Sequence, residues 1–425
     1  MTEPSGLTRP APFLAEFASY PAALRVLLLC SLVVFVDGFD TQLIASLASL
    51  LAKSVKTDVA AFGPVFSVGL LGMMIGSILF GVAADRFGRK RMIIASVILF
   101  TAFTLCTVLV STLNQLLLVR FLTGLGMGGA LPNVLALSAE YAPPRSRSLM
   151  MNLMYCGYPL GGIAVGVISS ALIDTMDWQD IYLIGGLTPL VLIVALIFLL
   201  PESREVRVRP DPAGVLVKSQ PDPSPVSRLF TSGQAPMTLV LWTAMFMSLL
   251  VIMFMVSWLT AVLARSGIPV NRAVLFPSIF SLGGIVGSIL MGFLMDRNHP
   301  LRALAFAFLA GGGALALFAV VSISDFWLLG LITCLAGLLI IGGQTGLQAF
   351  AATVYPPEAR ATGVGCAIGV GRVGSIVGPL VGGSMLRSGW AANNVFAAIA
   401  IPAVLAATAV AALASFHGRT RKIVV

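Results

Sequence analysis

Long apolar runs, such as Leu27 to Leu51 and Ile181 to Leu200, alternate along the chain with short polar interruptions. A helix rises ~1.5 Å per residue, so about 20 apolar residues cross a ~30 Å hydrocarbon core. The pattern predicts an all-α polytopic membrane protein with spans near 24–51, 62–85, 91–111, 115–140, 147–173, 179–200, 237–264, 273–295, 301–321, 326–350, 361–386 and 392–416. One interruption is longer: residues 201–236 are rich in proline and charge and read as a solvated linker. The predicted organisation is an N-terminal segment 1–23, a six-helix bundle 24–200, the linker 201–236, a second six-helix bundle 237–416 and a tail 417–425.

Composition narrows the class. Of the 425 residues, 58% are apolar and 10% charged, against about 25% charged in soluble domains. That balance excludes a soluble protein, a coiled coil and a disulfide scaffold. The net charge of +9 marks loops facing anionic lipid rather than a nucleic-acid surface, because basic residues collect in cytoplasmic loops. With both termini cytoplasmic, only Lys53, Lys56, Arg265, Arg272 and Arg387 fall outside, whereas Arg86, Arg89, Lys90, Arg91, Arg145 and Arg147 fall inside. The predicted location is a membrane, crossed many times, with both termini cytoplasmic. The polar N-terminus with Pro10 and Pro12 lacks the short apolar stretch of a cleaved signal. Cys30, Cys106, Cys156, Cys334 and Cys366 lie inside apolar runs, without metal-ligand spacing.

The two halves echo each other. Gly81-Val82-Ala83-Ala84-Asp85-Arg86 returns half a chain later as Gly292-Phe293-Leu294-Met295-Asp296-Arg297, and Pro143-Pro144-Arg145-Ser146-Arg147 returns as Pro356-Pro357-Glu358-Ala359-Arg360. Parallel six-span halves can rock about a central site.

An aspartate or arginine at mid-helix costs ~2.5–3.5 kcal/mol on insertion scales, so each needs a partner, a wet cavity or a task. Asp37 and Asp40 sit in span one, Arg120 in span four and Arg372 in span eleven. The helical rise places Asp40 ~22 Å from the cytoplasmic edge and Arg120 at the same level. Asp37 and Asp40 are three residues apart and share a helical face. Two neighbouring carboxylates in a low dielectric do not both ionise readily, which suits a proton carrier. Asp40 is the expected principal carrier, Asp37 its coupled neighbour and Arg120 the holder of the ionised form; a static ion pair is the alternative. Arg372 lies ~21 Å into an ascending helix. It either grips a substrate carboxylate as a bidentate fork or pairs across the interface with Asp37 or Asp40. Phe39, Tyr155, Tyr158, Trp258, Phe276 and Phe280 could pack an aromatic ring, and Gln42, Asn152, Gln344 and Gln348 could bond a ring hydroxyl.

Gly81-Val82-Ala83-Ala84-Asp85-Arg86-Phe87-Gly88-Arg89-Lys90 resembles the G-x-x-x-D-R-x-G-R-K loop of the major facilitator superfamily. Asp37-Gly38-Phe39-Asp40, Arg120 with Gly124 to Asn133, and Gly371-Arg372-Val373-Gly374 resemble its aromatic acid:proton symporter family. Leu153 to Gly157 and Ala361 to Gly365 look most like the phenylpropionate-type carriers within it. The resemblance implies a proton-coupled importer of an aromatic carboxylate in a bacterial inner membrane, with no cofactor beyond the proton gradient, and nothing in the sequence requires more than a monomer. It also implies a cytoplasmic latch of Asp85, Arg86, Arg89 and Glu140. Gly378-Pro379 resembles an antiporter motif, so proton-driven efflux of an amphipathic compound stands as the alternative, beside import of a non-aromatic organic acid. An enzyme is the least favoured class: His299 and His417 lie outside the spans, and no paired nucleophile and base or nucleotide-binding loop is present.

Overall fold

A computed structural model describes residues 21–143, 147–203, 227–230, 235–295, 299–321, 325–355 and 357–423. The N-terminal segment up to residue 20, linker residues 204–226 and 231–234, and the second-half echo at Asp296-Arg297 lie outside the described residues. Among those described, every element is helical and twelve helices are long and apolar enough to cross a membrane. Spans one to six are Pro21–Ser46, Val59–Phe87, Arg89–Leu109, Leu113–Tyr141, Met150–Leu172 and Trp178–Leu199. Spans seven to twelve are Ala235–Arg265, Val270–Met295, Pro300–Leu317, Phe326–Ala351, Thr362–Arg387 and Ala392–Ala414.

Two spans differ from the expected straight rods. Span one stops at Ser46 and a short helix, Ala48–Ser54, follows it. Span five breaks at Cys156 between helices Arg147–Tyr155 and Gly157–Leu172. Pro159 has no N–H to offer the Tyr155 carbonyl, so the helix is weakest next to that tyrosine.

Small residues set the helix pairing, because lipid supplies no hydrophobic force between helices and close backbone approach must do so. In the first half, span two lies against span four so tightly that a methyl group on Gly124 or Gly128 would strike the carbonyls of Gly69 and Met73. Spans eight and ten repeat the arrangement through Gly283 and Gly287, backed by the carbonyls of Cys334 and Leu338. Spans one with five and seven with eleven form the second related pairing.

Among the described residues, three apolar clusters fill the interior. One contains only first-half residues near the chain's start and the linker, including Val26, Val134, Leu137 and Leu196. Another contains only second-half residues near the linker and the C-terminus, including Leu241, Leu304, Phe350 and Leu413. The third, with Leu51, Phe66, Trp258, Leu259 and Phe276, draws on both halves and lies at the opposite end of the helices. The halves are therefore cemented together at the rim remote from the termini and have separate cores at the near end.

Candidate functional site

Asp40 is enclosed within the first half. It is 3% exposed, and both carboxylate oxygens are filled: Arg120 Nη2 donates to Oδ2 at 2.9 Å and Thr104 Oγ1 donates to Oδ1 at 2.7 Å. Arg120 is 5% exposed, and the hydroxyl of Tyr182, on span six, is buried without a hydrogen-bond partner. Tyr182 lies within electrostatic range of both Arg120 and Asp40. Spans one, three, four and six thus supply one closed polar cluster.

Asp37 stands one turn before Asp40 on the same helix but has a different set of neighbours. It too is 3% exposed, but its Oδ1 has no hydrogen-bond partner. Its charged and titratable surroundings are Asp40, Tyr155 and Tyr158 of span five, and Arg372 of span eleven. Span one can meet span five closely here because Gly38 lies on the Tyr158 backbone. Tyr155 is 42% exposed and Arg372 is half-buried. Among the described residues Arg372 makes no ion pair or hydrogen bond, so its fork is directed at no protein carboxylate within 4.0 Å. Arg372 also belongs to a helix face turned toward the first half: one turn on, the Ile376 carbonyl accepts a 2.7 Å hydrogen bond from Ser67 Oγ. The guanidinium of the second half thus lies within electrostatic range of a carboxylate and two phenols of the first.

The remaining expected residues divide. Phe39 packs against Gly185 of span six and is 6.4 Å from the Phe35 ring, inside its own half. Gln42 lies against Gly162 with Oε1 unpartnered. Trp258 is fully buried; its Nε1 donates to the Pro379 carbonyl at 2.9 Å and its ring meets Phe66 edge-on. Phe276 packs edge-on against Phe326, and Phe280 is fully buried. The Gln344 amide is taken up by Ser248 and Met245 of span seven, whereas Asn152 and Gln348 are exposed.

Polar bonds close the rim remote from the termini. Arg265 Nη2 reaches Asp58 Oδ2 at 3.4 Å, Asn271 Nδ2 donates to Asp174 Oδ2 at 2.7 Å and Ser278 Oγ donates to the Gly162 carbonyl at 3.1 Å, each joining one half to the other. At the near end, Arg89 pairs with Glu140. The linker's first residues join this pair: Ser203 Oγ donates to Glu140 Oε2 at 2.8 Å, and Tyr141 donates its hydroxyl to the Glu202 carbonyl at 2.8 Å. Asp85 and Arg86 are exposed. Thr104, Tyr182, Ser203 and the rim residues carried no signal in the sequence, since hydroxyls in spans and charges in loops are commonplace.

A model of the Major Facilitator Superfamily matches residues 30–344 and 278–422. The chain belongs to this superfamily. It is a multi-pass membrane transporter and not an enzyme. The 4-hydroxybenzoate transporter PcaK of Pseudomonas aeruginosa is 37% identical over 92% of this chain and 92% of its own. The gallate transporter of Pseudomonas putida is 37% identical over 93% and 92%, and the 3-(3-hydroxy-phenyl)propionate transporter of Escherichia coli 36% identical over 92% and 94%. In fold, the chain resembles the nucleoside transporter NupG, with a TM-score of 0.74 at 17% identity over 91% of this chain and 99% of that one. It also resembles a bacterial Spinster homologue, with a TM-score of 0.71 at 18% identity over 93% and 96%.

Proposed function

We propose that this protein is a proton-coupled secondary transporter that imports an aromatic carboxylate, of the hydroxybenzoate or phenylpropionate class, by alternating access across a bacterial inner membrane. The observation that carries the reading is the half-buried Arg372, unpaired among the described residues, opposite Asp37, Tyr155 and Tyr158. Its fork matches a carboxylate, the tyrosines offer ring faces and hydroxyls, and the acidic pair with Arg120 supplies the means of moving a proton. The names of the similar transporters supply the substrate class. The basic loops favour cytoplasmic termini; in that orientation the closed rim is the outer one and the site drains inward. The Arg89–Glu140 pair, with Asp85 and Arg86 beside it, belongs to the cytoplasmic latch. A monomer satisfies this geometry, and the proton gradient is the energy source.

Purified protein in liposomes tests the reading with a panel of benzoates, hydroxybenzoates, phenylacetates and phenylpropionates. An inward proton gradient should accumulate at least one of these acids above equilibrium. Accumulation driven by an outward gradient would instead establish efflux.

A further inference from the structure

Rocking of rigid halves leaves contacts within a half unchanged and alters contacts between halves. A group that couples protons to substrate must change its surroundings during that motion, and the two aspartates differ in this respect. Among the described residues every partner of Asp40 lies in its own half: Arg120, Thr104 and the nearby Tyr182 travel with it. Asp37 has the Arg372 guanidinium of the other half among its surroundings, besides Asp40 on its own helix and Tyr155 and Tyr158 on span five. Its Oδ1 is unfilled, whereas both Asp40 oxygens are taken.

We propose that the two carboxylates divide the work: Asp37 carries the transported proton, in competition with substrate for Arg372, and Asp40 is a fixed charge held by Arg120 and Thr104. The proposal rests on the import reading and adds a stoichiometry of one proton per monocarboxylate. With the acid bound, its anion balances Arg372, and a protonated Asp37 leaves the site neutral. When the anion departs to the cytoplasm, the Asp37 proton follows it into water and the Asp37 carboxylate balances Arg372 in the empty carrier. Both of these forms are neutral at the crossing, and net charge held mid-bilayer is what the membrane penalises. The two leak forms each carry one unbalanced charge: an empty carrier with Asp37 protonated, and a loaded carrier with Asp37 ionised. Import of a singly charged acid is then electroneutral.

The experiment combines three readouts in liposomes: net uptake under a proton gradient, exchange at equal substrate on both sides, and current. Wild type should accumulate acid and take up protons one for one, without current. Asp37→Asn leaves the empty carrier with an unbalanced Arg372, so net uptake should fall more than ~10-fold and exchange less than ~3-fold. Thr104→Val and Tyr182→Phe should slow both modes together and keep the one-to-one ratio. Substrate-driven current in wild type, net uptake by Asp37→Asn close to wild type, or loss of net uptake alone in Thr104→Val would each overturn the division of roles while leaving import intact. Should Asp37→Asn fail to fold by thermal shift, Asp37→Glu replaces it: a displaced pH profile of uptake is expected, and an unmoved profile overturns the proposal. A wild type that accumulates no aromatic acid under an inward proton gradient overturns the import reading and the proposal with it.

Discussion

At the scale of single residues, the penalty for burying charge in lipid decides what can be read. Asp37, Asp40, Arg120 and Arg372 stand out in sequence because each needs a reason to be there, and helical rise alone brings Asp40 and Arg120 to one level. The 2.9 Å bond between them is the reason for that pair. Removing one member of a buried pair strands the other, at ~3–5 kcal/mol. Asp40→Asn and Arg120→Gln should each lower the thermal-shift midpoint in detergent, and the double variant should lose less than the two single losses combined. On the proposed reading Arg372 obeys different logic, because its partner would be the substrate carboxylate arriving from solution. Arg372→Lys keeps the charge and loses the fork, so the KM for the acid should rise ~10-fold or more, at ~1.5–3 kcal/mol for hydrogen bonds to a charged group, with the midpoint little moved. Thr104 and Tyr182 complete the Asp40 cluster from spans three and six. They were illegible because one polar atom in an apolar run gives no direction without knowledge of which helices touch. The aromatic residues were illegible for the converse reason. An aromatic ring is equally at home in a core, as at Trp258 and Phe276, or at an exposed position, as at Tyr155.

At the scale of helices, length and hydropathy locate the spans, but the pairing of spans depends on which glycines face each other. Gly128 fits only because the Met73 backbone occupies the space a side chain would need, whereas nothing lies within 4 Å of a methyl group placed on Gly313. Gly128→Val should therefore part spans two and four, at ~1–3 kcal/mol or more of overpacking. Gly313→Val sets the comparison: it should stay within about 0.5 kcal/mol of wild type. Thermal-shift midpoints and expression level in membranes distinguish the two. Gly124, Gly126, Gly128 and Gly129 in span four and Gly157, Gly161 and Gly162 in span five are legible in the sequence as small faces on which helices can touch. The break at Cys156 is not, because Pro159 signals a bend only once the surrounding run is known to be a single helix.

At the scale of the whole molecule, the repeated halves create a repeated interface. Span two meets span eleven, and span five meets span eight, in the same relation under exchange of the halves. The internal echo in the sequence foretold the symmetry, but not which rim would be closed, since that depends on contacts between residues some 200 positions apart, such as Asp58 and Arg265. Exposed ion pairs of this kind are worth only ~0.2–1 kcal/mol, so Asp58 and Arg265 cannot hold the rim alone. Backbone contact bears more of the load. A methyl group on Gly63 would come within 2.9 Å of the Pro379 carbonyl, and one on Gly383 within 3.0 Å of the Ala60 carbonyl. These positions face each other across the halves, so a large side chain there opposes closure without disturbing either bundle's interior. In the proposed orientation, Gly383→Trp should keep the halves apart at the outer rim, leaving the acid free to bind from outside while delivery stops. In liposomes the variant should lose uptake and exchange together, yet in detergent it should still be stabilised against heat by the acid that stabilises wild type. If Gly383→Trp carried the acid at the wild-type rate, closure of spans two and eleven would not be a step of transport, and the Arg265–Asp58 rim would be mere surface.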